Sequence, residues 1–480
     1  GGGGGRDSLN FIIRRILVLT LLGGVFLFSG PDPVSAAGTP CSVTPVMSEA
    51  DLNTCIAEAP TDNSEFTITL GADFNITAAK NIVAGNNITI TSTNSASPAT
   101  LTRNPGLTGR LFLLNLTSPA TATLTIDSVI IDGNNQTANA NNQLIYTDGN
   151  GNVTLNLTGG TVLKNNNTTS SGSAIRISNA NHKLNMTDDT QITNNTASTA
   201  GGVYIAGTFA MSGNATISDN RSNGHTGGVT ITASGTFTMS GNATISNNTA
   251  NASGGGVYIS GTFTMSGGKI SGNTAIVANG GGGVNMVGSA ATFTMTGGEI
   301  SGNTATNGGG VRVDDSSTFI MQGGTISSNT AAYGGGVYVG DGTLGGANLG
   351  TGTFTLTNGN ITNNIANQNG GGIFTADYGN LTIGASAIFA GNRASFASPT
   401  RNPANDAVYA ANILSTNWTT PFIQGYNNYD INHDYAPNAP STGLFGSQIS
   451  GATISALSFI ASGTIIATIF VLYRTRPKHF

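Results

Sequence analysis

Through the middle of the chain, apolar residues recur in one three-part phrase broken by Gly and Asn. One copy reads Gly254-Gly255-Gly256-Val257-Tyr258-Ile259, then Thr262-Phe263-Thr264-Met265, then Lys269-Ile270-Ser271-Gly272-Asn273. The first anchor falls at Val203, Val229, Val257, Val284, Val311, Val337 and Ile373, at intervals of 26 to 28 residues until a last interval of 36. An insertion, roughly Gly340 to Thr351, accounts for that longer step. The second anchor is Phe209, Phe237, Phe263, Phe293, Phe319 and Phe354. The third is Ile217, Ile245, Ile270, Ile300, Ile326 and Ile361, each followed three residues later by Asn.

Within each part the apolar residues alternate with polar ones, which is strand periodicity. Gly and Asn clusters supply the turns. Three short strands per repeat, in fixed register, predict an all-β chain. Its architecture is a right-handed parallel β-helix with three-strand coils of about 26 residues. Phe then stacks on Phe, Ile on Ile and Asn on Asn. One coil cannot fold alone, because five apolar side chains do not offset the entropy of ordering the whole coil. Stacking has to supply the remainder. Less regular coils are expected around Leu124 to Asn134, Leu155 to Val162 and Ile175 to Asn195. A short amphipathic helix from Glu49 to Glu58 would cap the open end.

Composition narrows the function. Charged residues are 8% of the 480, far below an ordinary ~25%. No basic patch with interleaved aromatics is present, so nucleic acid is not an expected partner. The chain is expected to divide into a signal peptide (1–37), an N-terminal cap (38–63), repeats (64–395), a C-terminal cap and linker (396–438) and a sorting segment (439–480). Arg14 and Arg15 precede an apolar run from Ile16 to Phe28, and Val34-Ser35-Ala36-Ala37 suits a signal peptidase. Export would let Cys41 and Cys55 pair and clip the first turn.

Gly255-Gly256-Val257 followed by Ile270-Ser271-Gly272-Asn273 resembles the Gly-Gly-Ala-Ile and Phe-x-x-Asn repeats of chlamydial polymorphic outer-membrane proteins. More broadly, the chain resembles pectate-lyase-like β-helix proteins of bacterial surfaces. The likeness covers roughly residues 64–395, and it departs from the chlamydial pattern in placing Ile, not Phe, before the Asn. It implies a surface protein of a fold that hosts lyases, hydrolases and adhesins alike.

Two sets of residues are candidates for chemistry. Asp315, Asp341 and Asp377 each lie four residues after a first anchor, beside Asp314 in the first case. The equivalent positions of earlier coils are Gly207, Ala233, Gly261 and Gly288. Stacked carboxylates on rigid turns could share calcium or, as the resemblance implies, serve sugar cleavage. The plainer reading is three turn aspartates facing water. The second set is the outward position of the first strand: Tyr204, Tyr258, Arg312, Tyr338 and Phe374, with Arg176 earlier. Flat rings beside Arg could bind glycan or a protein on another surface, although Tyr also simply favours strands.

At the C-terminus, Ala439-Pro440-Ser441-Thr442-Gly443, an apolar run over 452–473 and a basic tail resemble a sortase sorting signal with Ala where Leu is usual. The run predicts a transmembrane helix. The resemblance implies cleavage between Thr442 and Gly443 by a sortase and attachment to membrane or cell wall. The expected function is a non-enzymatic, adhesin-like or structural surface β-helix binding glycan or a partner surface. The alternative is a cell-attached polysaccharide lyase or hydrolase using the aspartate cluster.

Overall fold

A computed structural model of the chain describes residues 39–136, 139–277, 280–340, 352–375, 378–395 and 430–433. The alternating segments become short strands, and the chain winds through three faces per coil. The first sheet carries the Val anchors and contains 12 strands, from Lys80–Ile82 through Val257–Ile259 to Ile431–His433. The second carries the Phe anchors, as in Thr236–Met239 and Thr262–Met265. The third carries the Ile anchors, as in Thr244–Ser246 and Lys269–Ser271. Neighbouring coils pair in parallel with the repeat register intact: Val229 opposite Val257, Phe237 opposite Phe263, Ile245 opposite Ile270.

That register makes the core a set of ladders. The six Phe rings from Phe209 to Phe354 stack with centroids 4.6–4.7 Å apart and planes within 11°. The strand spacing of ~4.8 Å sets this interval, and it coincides with a favourable aromatic stack. Phe263, Ile270 and Val257 are each fully buried.

The Asn residues form the second ladder. The residue before each takes a left-handed backbone, as Asn247 (φ 56°) and Gly272 (φ 66°) do, and Asn and Gly are the residues that tolerate it. The corner aims the following Asn inward. Asn273 donates its Nδ2 to Asn303 Oδ1 at 3.0 Å and to the Ile245 carbonyl at 2.9 Å. Its own Oδ1 accepts from the Asn248 backbone N–H and Nδ2 at 2.9 and 3.0 Å. The pattern repeats from Asn195 to Asn392, so every amide of this ladder is satisfied. Along the ladder each Asn backbone N–H and one amide hydrogen donate to the Asn of the next coil, while the other amide hydrogen returns to a carbonyl of the coil before. The last rung therefore needs only an acceptor, and Asp430 fills it, accepting from Asn392 at 3.0 Å. Burial raises the pKa of Asp430 against that hydrogen bond.

The turn entering the first sheet uses bare glycine. A Cβ on Gly255 would lie 2.3 Å from the Gly282 carbonyl oxygen of the next coil, which no side chain could accommodate. At the open end, the helix Glu49–Glu58 starts at Ser48, whose hydroxyl accepts from the Asp51 N–H. It turns Leu52 and Cys55 onto the first coils, and Cys41 and Cys55 are disulfide-bonded. The Lys80 ammonium, 2% exposed, is held by Glu49. Burial alone would raise the Glu49 carboxyl, but Lys80 and Thr77 outweigh it and hold the group below its ordinary range.

The fold class needs one correction. No helix among the described residues is long and apolar enough to cross a membrane, so the C-terminal transmembrane helix is no part of this all-β fold. The ten-residue cap helix is about 15 Å long, half a bilayer core. The segment 452–473 on which that expectation rested lies outside the described residues, as do the signal peptide, the insertion from 341 to 351, Thr442 and Gly443.

Candidate functional site

The outward position of the first sheet forms one row along the solenoid axis. Register places Tyr146, Arg176, Tyr204, Thr230, Tyr258, Asn285, Arg312, Tyr338 and Phe374 side by side on successive coils. Each step is one strand spacing, ~4.8 Å. The five row residues singled out in the sequence are thus brought together, but the row is not uniform.

Its N-terminal half sets the Arg176 cation between the rings of Tyr204 and the buried Tyr146, which is 7% exposed. The Arg110 guanidinium, from the turn before Leu111, lies 3.5 Å from the centroid of Tyr146. Arg176, one coil later, sits 5.7 Å from Tyr146 and 5.2 Å from Tyr204. These are cation–π distances. Arg110, Arg176, Tyr204 and Tyr258 are all partly accessible. The exposed His225 ring tilts against Tyr258, centroids 6.2 Å apart. Neither Arg110 nor Arg176 takes part in the four ion pairs formed among the described residues. Their Nε atoms are buried without a hydrogen-bond partner among those residues.

The C-terminal half is packed upon itself. Arg312 is 5% exposed, Tyr338 9% and Phe374 5%. Arg312 bonds the carboxylate of Asp314, two residues on and therefore on the same side of the sheet, and donates to Asn285 Oδ1 at 3.4 Å. Tyr338 and Phe374 stack 5.1 Å apart, and Tyr333 meets Phe374 edge-on at 5.3 Å. Sequence reasoning treated all five residues alike because it read position and not pairing. It missed Arg110 and Tyr146, which lie in less regular coils without the Gly-Gly-Val phrase. The available signal was Ile145-Tyr146, an apolar–Tyr step like Val203-Tyr204 and Val257-Tyr258, although Thr147 stands where those coils have Ile.

Of the aspartate set, Asp315 is described and Asp341 and Asp377 lie outside the described residues. Asp315 and Ser316 take φ of 51° and 63° between Asp314 and Ser317, whose backbone N–H returns to the Asp314 carbonyl at 3.0 Å. Two positive-φ residues in succession make this a tight primed turn. Asp315 is its corner, and Asp314 is the carboxylate that turns onto the sheet. No group of three His, Cys, Asp or Glu side chains among the described residues could hold a metal ion.

With this geometry established, comparison with known proteins adds the winding sense. Residues 237–402 match the family model described as "Right handed beta helix region". The solenoid is a right-handed parallel β-helix. Among solved structures, the A-module of mannuronan C-5 epimerase AlgE6 from Azotobacter vinelandii is similar at 12% identity, with a TM-score of 0.44, over 73% of this chain and 96% of that one. No curated protein matches the sequence.

Proposed function

We propose that this protein is an extracellular β-helix that binds glycan chains along the accessible half of the first sheet, with adhesion or scaffolding at a surface as its role. The observation that carries this reading is the partly accessible set Arg176, Tyr204 and Tyr258, with Arg110 at its N-terminal end above the buried Tyr146. Sugar rings present apolar C–H faces that stack on Tyr, and hydroxyls that accept from guanidinium. A sugar unit in an extended chain also advances by nearly one strand spacing, so consecutive sugars meet consecutive coils. The Cys41–Cys55 disulfide supports an oxidising location, and the Pro440-Ser441-Thr442-Gly443 sequence supports attachment by a sortase.

A glycan-array screen of the purified protein tests the reading. The expected result is binding that falls about tenfold in Tyr204→Ala, the scale of one lost ring contact. An array without a bound glycan, or binding indifferent to Tyr204 and Tyr258, would refute it.

A further inference from the structure

The second sheet shows solvent a different surface from the first. Its strands at Thr236–Met239, Thr262–Met265 and Thr292–Met295 read Thr-Phe-Thr-Met, with Phe and Met in the core and both Thr facing outward. Parallel register stacks the outward residues in two columns. The first is Thr in all six coils from Thr208 to Thr353. The second runs from Ala210 to Thr355 and is Thr except at Ala210 and Ile320. Every position of both columns is at least partly accessible, and none is charged. Strand propensity favours Thr but does not produce this uniformity. In the same coils the outward position of the first sheet varies freely, through Tyr204, Thr230, Tyr258, Asn285 and Arg312.

The Phe ladder beneath fixes the geometry of this net. Ring centroids 4.6–4.7 Å apart, with planes within 11°, set each strand above the last with little twist. The six coils therefore form a flat patch about 23 Å long. Two residues along a strand separate the columns by ~6.7 Å. Thr is β-branched and stiff at χ1, so one residue in one register repeats a methyl and a hydroxyl at each node. At the C-terminal edge Thr353 Oγ1 donates to Thr318 Oγ1 at 3.3 Å, and the open net ends there. Liquid water has no fixed repeat to match such a net, but ice has. Oxygen atoms on a prism face of hexagonal ice form a rectangular array. One of its intervals is slightly shorter than the coil spacing, and the other is slightly longer than the two-residue step. We propose that the Thr face of the second sheet binds the surface of an ice crystal. The methyl groups seat in hollows of the lattice, and the hydroxyls take the places of lattice water. Each contact is weak alone, but a rigid face makes all of them at once without an ordering cost. The lack of charge meets the same need, since a charged group orders water around itself. The Lys269–Glu299 ion pair falls on the third sheet instead. This face is separate from the glycan row of the first sheet, and the proposal is independent of that reading.

The test is nanolitre osmometry of the full chain, with a single ice crystal held in the protein solution. The expected result is a freezing temperature depressed below the melting temperature, a gap that widens with protein concentration, and faceted crystal growth. Thr264→Tyr sets a bulky ring in the middle of the net and should lose most of that gap. Thr294→Lys should lose it as well, by placing a charge there. Thr244→Tyr changes an outward position of the third sheet and should keep the gap of the parent chain. All three side chains stand at the surface, so thermal melts of the variants should match the parent and separate loss of ice binding from loss of fold. Glycan binding should be unchanged in Thr264→Tyr. A folded parent chain that leaves no gap would overturn the proposal. So would a gap that survives both Thr264→Tyr and Thr294→Lys, or one that Thr244→Tyr removes equally.

Discussion

Asn273 is the rung whose removal tests the internal ladder most severely. Asn273→Ala deletes two donated and two accepted hydrogen bonds. The Asn248 backbone N–H, one Asn248 amide hydrogen and the Ile245 carbonyl then lose partners inside a site closed to water; Asn248 and Asn273 are both 0% exposed. Three stranded groups at ~1–3 kcal/mol each give a loss of about 3–9 kcal/mol. Asn242 is the control. It also bonds its counterpart one coil back, Asn214, at 3.1 Å, but at the exposed surface. Asn242→Ala should stay within about 0.5 kcal/mol. Urea unfolding followed by circular dichroism measures the totals. Hydrogen exchange read by mass spectrometry localises the damage, since a solenoid can open locally without global unfolding. Protection should fall in the coils containing Asn248 and Asn303 and persist around Asn195. A cost below about 1 kcal/mol for Asn273→Ala, or a loss spread evenly along the chain, would refute the account of the ladder as a satisfied buried network.

Other consequences follow from the same packing. Phe263→Ala opens a gap in a continuous ring stack and should cost about 3–5 kcal/mol in the same urea assay. His182 is buried with Nδ1 2.7 Å from Thr147 Oγ1, and burial lowers its pKa, opposed by Asp148 and the Gly151 backbone. Its neutral form belongs to the fold, so its contribution is complete above the ordinary His value of ~6.5 and is lost as pH falls through that value toward the lower folded one. His182→Asn should flatten the melting temperature against pH in that window. Lys80→Met strands Glu49 at the cap and should lower protection of the first coils, measured by hydrogen exchange, with later coils unaffected. Mass spectrometry of envelope-bound protein should find a C-terminal peptide ending at Thr442; an intact chain through Phe480 would count against sortase attachment.

Much of the fold was legible because the repeat writes the same residue at the same register position. Val257, Phe263, Ile270 and Asn273 each predict their neighbours above and below, and the parallel pairing places them there. The cap helix was legible as an amphipathic stretch from Glu49 to Glu58, and the structure adds Ser48 as its N-cap. The site was legible only as a position. That Tyr204 and Tyr258 stay accessible while Tyr338 and Phe374 are buried depends on what each meets: the Arg176 guanidinium for Tyr204 and the exposed His225 ring for Tyr258, a close parallel stack for the other two. Arg312 and Asp314 pair because residues two apart share one side of a strand, an inference open to the sequence but missed while attention rested on Asp315. Asp315 owes its place to backbone geometry, a left-handed corner that Asp tolerates, which composition does not distinguish from a ligand.

The central claim is that a glycan lies along the axis, one sugar to a coil. Affinity measured against oligosaccharide length tests it most directly, using defined fragments of whichever glycan the array identifies. From Arg176 to Tyr258 the row advances three coils, about 14 Å. Affinity should climb with each added sugar and level off once the fragment spans that distance, and Tyr258→Ala should shorten the length at which it levels. Affinity already at its maximum for a single sugar, or unchanged in its length dependence by Tyr258→Ala, would contradict a ligand laid along the coils.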